Sequence, residues 1–189
     1  MTRIAILALS NWAHFSWLPR GKRVTTERAQ AHANADLLAR FPQLAELPPK
    51  PAMPPFSVLP RPACAKVLRV TAALAHARLL RKVVAGQAQK TFAVRIAPHV
   101  LHAIQRDFHA EEVDQGAMLN VLDRADMTAA GLRVAMRAID DPALRVLMQL
   151  RLPRTVSLQM ARFSGCDTRV KTAQDLLDAA YRLARGETC

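Results

Sequence analysis

The stretch that decides the fold runs from Ala65 to Gly86 and reads AKVLRVTAALAHARLLRKVVAG. Apolar residues recur in it at intervals of three and four positions, which is the period of one face of an α-helix. The members of this stripe are Ala65, Leu68, Ala72, Ala75, Leu79 and Val83. Gly86 follows at a position where helices usually stop. The stretch therefore predicts a central helix whose alanine-rich face lets a neighbouring helix approach closely.

Helical signals continue through the rest of the chain. Alanine, leucine and arginine dominate and only six glycines occur in 189 residues, so local preferences favour helix over strand. Further helices are predicted over residues 2–16, 25–41, 87–95, 98–108, 116–124, 128–139, 142–150, 155–163 and 170–185. Thr25 or Thr26 is expected to cap the second of these, and Thr128 a later one. Asp141 is expected to cap the helix that begins at Pro142.

A proline-rich segment divides the chain. Its prolines are Pro48, Pro49, Pro51, Pro54, Pro55, Pro60 and Pro62, a density that excludes helix and sheet and favours extended, polyproline-like backbone. The interleaved Met53, Phe56, Val58 and Leu59 indicate a strap lying on the core, and docking into an SH3-like groove is the alternative. We predict an all-α fold, an irregular multi-helix bundle, with an N-terminal helical segment over 1–46, a Pro-rich linker or strap over 47–62 and a main helical domain over 63–189.

Composition limits the class of protein. Apolar residues make up 51% of the chain and charged residues 22%, which is typical of a folded globular protein. Cys64, Cys166 and Cys189 form no close pair, which favours a reducing compartment. No stretch is long and apolar enough to span a bilayer, and the apolar run from Ile4 to Leu9 lacks the features of a signal peptide. We expect a cytoplasmic protein that is soluble or peripheral.

The formal net charge of +12 arises from 27 Lys and Arg against 15 Asp and Glu. Such a balance is typical of proteins that bind nucleic acid, an anionic membrane face or an acidic protein. The arginines of the C-terminal part, with Phe163 as their one aromatic neighbour, are Arg133, Arg137, Arg145, Arg151, Arg154, Arg162 and Arg169. Without stacking aromatics, we expect these side chains to lie over apolar helix surface, with their charged ends solvated or paired to Asp.

No motif of a nucleotide-binding loop or a hydrolase nucleophile occurs in the sequence. His99 and His102 share a helical face and are the one candidate metal site, with Asp107 or His109 as a third ligand. A polar helix end is the favoured interpretation of this cluster. We predict no catalytic residue, no metal and no cofactor, and we expect a protein that is not an enzyme.

A family resemblance adds to this interpretation. It rests on Leu68-Arg69 with Leu74, on the run from Ala77 to Gly86, on Phe92-Ala93 through Ile96-Ala97-Pro98, and on Leu147 to Leu152 with Pro153. In their order and spacing these pieces resemble the SctK (YscK-like) family, the accessory protein of the cytoplasmic sorting platform in bacterial type III secretion systems. The resemblance covers residues 65–153. It implies a helical adaptor, without a cofactor, that joins the cytoplasmic domain of an inner-membrane ring protein to the pod-forming protein of the platform.

Partner contacts are nominated on charge, because the family offers no strict signature of functional residues. Arg78, Arg81, Lys82 and Arg95 are basic and flank the best-matched helices. We expect them to steer an acidic partner at the cytoplasmic face of the inner membrane, so charge reversal at Arg81 and Lys82 slows association chiefly at low salt. The alternative function is a basic nucleic-acid-binding regulator whose affinity falls steeply with salt.

Overall fold

A computed structural model describes residues 9–48, 51–81, 86–107, 123–163 and 170–186, apart from the side chains of residues 78, 79 and 107. Its α-helices are α1 (Leu9–Trp12), α2 (Glu27–Arg40), α3 (Arg61–Ala75), α4 (Ala77–Arg81), α5 (Gly86–Ile96), α6 (Pro98–Asp107), α7 (Arg124–Ala138), α8 (Pro142–Arg151), α9 (Arg154–Met160) and α10 (Val170–Ala184). Short 3-10 turns occupy Phe15–Trp17, Pro19–Gly21, Pro42–Glu46, Pro55–Val58 and Ala161–Phe163. Within these ranges there is no strand, so the predicted all-α multi-helix fold is confirmed.

The chain divides into two compact units. The first unit comprises Met1–Arg61 and Ile139–Leu158, and the second comprises Pro62–Ala138 and Gln159–Cys189. The division of the sequence at residues 46 and 62 stays a prediction. Among the helices that the structure describes, none combines the length and the apolar character needed to cross a bilayer.

The first unit packs α1, α2 and α8 around one apolar core. Its buried members are Leu9, Ala13, Trp17, Leu18, Ala33, Leu37, Leu44, Val146, Leu147 and Leu150. Two predicted caps position these helices. Thr26 Oγ1 accepts the Ala29 N–H at 3.3 Å at the start of α2, and Asp141 Oδ1 accepts the Ala143 N–H at 2.7 Å at the start of α8. Both caps are therefore confirmed.

The second unit is built on α3, which is buried on more than one face. Leu68 and Ala72 of the predicted stripe are buried, and so are Val67 and Val70 on the other side. Helix α7 packs against α3 at the buried Gly131. The predicted central position of this helix is confirmed within its unit.

Helix α3 is shorter than the sequence predicts. It ends at Ala75, and His76 forms a turn before α4 begins at Ala77. Gly86 was expected to terminate a helix, but it is the first residue of α5 and lacks the positive φ of a terminating glycine. The apolar spacing of the sequence continues across His76, so periodicity alone does not reveal the turn.

Thr128 was expected to cap a helix, and the structure shows that this prediction is wrong. Helix α7 begins one turn earlier, where Asp123 Oδ1 accepts the Asp126 N–H at 2.8 Å. Thr128 lies inside the helix, and its hydroxyl donates to the Arg124 carbonyl at 2.7 Å. A threonine can satisfy its hydroxyl on the preceding turn, so the residue type does not distinguish a cap from an interior position.

Two N-terminal predictions also need correction. The predicted helix over 2–16 does not reach residue 16, because α1 ends at Trp12 and His14 has extended backbone with a ring that accepts the Ser16 N–H at 3.2 Å. The proline-rich segment contains a 3-10 turn, and Pro62 lies in the first turn of α3, where a backbone N–H is not needed.

The strap interpretation holds for part of the proline-rich segment. Phe56 is buried, and Met53 packs against the core of the first unit. Val58, which was expected to lie on the core as well, is 63% exposed. Met53 therefore lies on this core and Phe56 is buried, whereas Val58 faces solvent.

Candidate partner-binding surface

Several basic side chains donate hydrogen bonds to carbonyl groups at the C-terminal ends of helices. The last carbonyl groups of a helix have no intrahelical donor, and this end carries partial negative charge. Lys66 Nζ donates to the Ala184 carbonyl at the end of α10, at 2.9 Å. Arg145 Nε donates to the Ile139 carbonyl just after α7. Part of the positive charge of the chain therefore has a structural role.

The densest such group in the second unit lies at the end of α5. Arg69 Nε donates to the Arg95 carbonyl at 2.9 Å, and Arg124 Nη2 donates to the Val94 carbonyl at 2.9 Å. The guanidinium carbon of Arg95 lies 5.7 Å from the centre of the Phe92 ring. The side chain of Val94 is 69% exposed. We call Arg69, Arg95, Arg124 and Val94 the α5 surface.

The α5 surface carries uncompensated positive charge. In the described part of the chain, no carboxylate pairs with Arg69 or Arg124; both donate to main-chain carbonyls instead. Burial, and then the charge of Arg124, lowers the pKa of Arg69 below its usual value. Arginine remains protonated at neutral pH even so. Three positive charges lie beside a helix end that offers about half a negative charge. The net positive charge of this surface suits carboxylate groups.

Of the four nominated residues, the structure brings Arg95 to this surface. Arg81 is the last residue of α4 and is half-buried. Arg78 belongs to α4, but its side chain lies outside the described part of the chain, as does all of Lys82. Their role as partner contacts stays a prediction.

Arg69 and Arg124 were not nominated from the sequence. Arg95 in the last turn of a predicted helix signals a helix end that attracts cations. Nothing in the local pattern tells which other arginines reach that end, because Arg69 lies 26 positions before Arg95 and Arg124 lies 30 positions after Val94. Only tertiary packing brings the three together.

The two tryptophans have structural roles in the first unit. Trp12 Nε1 donates to the Leu147 carbonyl at 2.7 Å, and Trp17 Nε1 donates to the Leu152 carbonyl at 2.8 Å. The Arg151 guanidinium carbon lies 4.3 Å from the centre of the Trp12 ring. A covered or buried indole is unsuited to stacking on a nucleobase, which weighs against the nucleic-acid alternative.

The candidate metal site is not assembled by the described residues. His99 Nε2 lies 3.2 Å from the Leu183 carbonyl at the end of α10, and His102 is exposed. His109 lies outside the described ranges. In the portion that the structure covers, no three His, Cys, Asp or Glu side chains come together as a ligand group.

The α5 surface can therefore offer charge and an exposed apolar side chain to a partner. A planar guanidinium group can donate two parallel hydrogen bonds to one carboxylate, so the arginines of this surface suit acidic side chains. Comparison of the chain with protein-family models, with curated proteins and with solved structures found no match.

Proposed function

We propose that this chain is a cytoplasmic adaptor of a bacterial type III secretion sorting platform, similar to the SctK (YscK-like) family. In this role it bridges the cytoplasmic domain of the inner-membrane ring protein and the pod protein through protein-protein contacts. The pattern of residues 65–153 supports the family, and the all-α fold is compatible with it.

The observation that carries the proposal is the uncompensated charge of the α5 surface. Arg69 and Arg124 are held by main-chain carbonyls of α5, so their positions are fixed before a partner arrives. Pre-positioned side chains lose less conformational entropy on binding than mobile ones do. Val94, whose carbonyl accepts from Arg124, is exposed and adds apolar area to this surface. A combination of arginine with apolar contact is common at the centre of protein interfaces.

The proposed partner carries acidic groups where it meets this surface. Complementary charge speeds association and selects against basic competitors. The adaptor acts by binding alone, so no cofactor and no reacting group enter the proposal.

Copurification tests the proposed function. A tagged chain is produced in the bacterium that encodes it under secretion-inducing conditions, cross-linked, isolated and analysed by mass spectrometry. We expect the inner-membrane ring protein and the pod protein, both missing from an untagged control. Isolation of nucleic acid with neither protein would contradict the adaptor and favour the regulator.

A further inference from the structure

A second group of cations lies in the first unit, around Trp12. Arg61 Nη2 donates to the carbonyls of residues 11–13, at distances of 3.1, 2.8 and 2.7 Å, and so closes the end of α1. Arg151 stacks on the Trp12 ring and donates to the Leu59 carbonyl at 2.7 Å. Both guanidinium groups are therefore held against the same residue.

Arg23 belongs to the same group. Its positive charge lowers the pKa of Arg61, after burial and the charge of Arg151, and it also contributes to the lowered pKa of His14 after burial and Arg61. The Arg23 side chain is exposed. We call Arg23, Arg61 and Arg151 the α1 surface.

The positive charge of the α1 surface is not neutralised by negative charge around it. A helix offers about half a negative charge at its C-terminus, which is less than the positive charge of these arginines. Across the ranges that the structure covers, no carboxylate pairs with Arg61 or Arg151. The Nε atoms of both arginines are shielded from solvent and have no hydrogen-bond partner among these residues. Like charges that act on one another in this way raise the free energy of the unbound surface.

An exposed aromatic ring adjoins this charge. Phe15 is 42% exposed, and its ring centre lies 4.1 Å from that of His14. Phe15 lies two residues after Ala13, whose carbonyl accepts from Arg61, so Phe15 adjoins the α1 surface. Arginines beside an accessible aromatic ring are typical of interface centres.

We propose that the α1 surface binds an acidic segment of a partner protein, with carboxylates at Arg23, Arg61 and Arg151 and an apolar side chain against Phe15. A carboxylate there restores the charge balance that the unit itself lacks. A nucleic acid fits less well, because Arg151 already covers the Trp12 ring on which a base would stack.

The proposal rests on the proposed adaptor function for the identity of the partner, but not for the binding itself. An adaptor that bridges two proteins needs two contact surfaces. The α5 surface and the α1 surface belong to different units, so each can hold one partner.

Fluorescence anisotropy of the labelled peptide EEELEEE with the full-length chain tests the inference. At low salt, Arg23→Glu is expected to weaken binding about five- to tenfold, because it reverses an exposed charge without removing a structural hydrogen bond. Lys22→Glu is the matched control: Lys22 is also exposed, and in its extended backbone (φ −121°, ψ 149°) neighbouring side chains point to opposite sides. The control is expected to weaken binding by less than about twofold.

The indole N–H signals in ¹⁵N NMR spectra give a second readout. The peptide is expected to shift the Trp12 signal, since Arg151 lies on that ring, and to leave the Trp17 signal in place. Equal losses for Arg23→Glu and Lys22→Glu, or no shift of the Trp12 signal, would overturn the proposal. So would an oligothymidylate of matching charge that binds more tightly than the peptide and depends equally on Arg23.

This measurement fails independently of the copurification. If peptide binding does not depend on Arg23 but the ring and pod proteins are isolated with the chain, the α1 contact is rejected and the adaptor function stands. If peptide binding depends on Arg23 but neither platform protein is isolated, the acidic contact stands and the adaptor function is rejected.

Discussion

Gly131 of α7 lies directly against the main-chain carbonyl of Leu68 in α3, so closely that a β-carbon at residue 131 would overlap the carbonyl oxygen. Backbone atoms in two packed helices cannot move apart without opening the core. Gly131→Ala is therefore expected to lower the free energy of unfolding by about 3 kcal/mol. Urea unfolding followed by circular dichroism measures this. Gly86→Ala is the control, because a β-carbon there meets nothing within 4 Å, and equal losses for both variants would refute the close packing.

The junction between α5 and α6 contains a strained residue. Ala97 has φ 98°, in a region that residues with a β-carbon rarely adopt. Ala97→Gly is expected to raise the free energy of unfolding by about 0.5–1 kcal/mol, since relief of strain exceeds the added entropy of the unfolded chain. Ala93→Gly, inside α5, is expected to lower it by about 1 kcal/mol. Urea unfolding measures the free energy of unfolding of both variants. If Ala97→Gly lowers it as much as Ala93→Gly does, Ala97 is not strained.

Two histidines make stability depend on pH. Burial lowers the pKa of His76, and burial with the charges of Arg61 and Arg23 lowers the pKa of His14, both from 6.5. Below pH 6.5 the unfolded chain binds protons that the folded chain resists. The stabilisation is therefore complete above that pH and is lost as pH falls towards the folded pKa values.

Unfolding at about pH 7.5 and about pH 5.5 checks this prediction. The free energy of unfolding of the wild-type chain is expected to be smaller at the lower pH. In His76→Leu, the difference between the two pH values is expected to be smaller. His32→Gln, at an exposed position of α2, serves as the control and is expected to leave it unchanged. A pH dependence that persists in full in His76→Leu would rule out a contribution from His76.

The sequence predicts helix identity well where the signal is local. Asp141 before Pro142, and Thr26 before α2, mark helix starts because a side-chain acceptor is needed next to unsatisfied N–H groups. Thr128 misleads, because its hydroxyl is also satisfied inside a helix.

The candidate surfaces were only partly predictable. Arg95 was nominated because it is basic and flanks one of the helices that carry the family resemblance. Arg69 and Arg124 reach α5 through packing that has no sequence period. The C-terminal arginines were expected to lie over apolar surface, with their charged ends solvated or paired to aspartates; a pair of this kind joins Arg40 to Asp36 at 2.8 Å elsewhere in the chain. Donation to main-chain carbonyls at helix ends leaves no signature in the sequence, because every residue type supplies a carbonyl.

The α5 surface predicts a charge-dependent contact. Arg124→Glu reverses the exposed charge of this surface and is expected to weaken binding to a platform partner about fivefold at low salt, and much less at about 0.5 M salt. Lys171→Glu is the matched control, because Lys171 is an exposed cation on a different helix of the same unit, α10. Isothermal titration with the purified partner gives both affinities, after circular dichroism has shown that each variant folds. A loss that is equal for the two variants would exclude a specific role for Arg124.

The central claim is that this chain joins two proteins, and the most direct test is the mass of the complex that it forms. The purified chain is mixed with the cytoplasmic domain of the ring protein and with the pod protein, and size-exclusion chromatography with light scattering measures the product. If the chain bridges the two proteins, one species contains all three and is absent when the chain is omitted. Elution of the chain alone, or competition of the two partners for it, would contradict the bridging role.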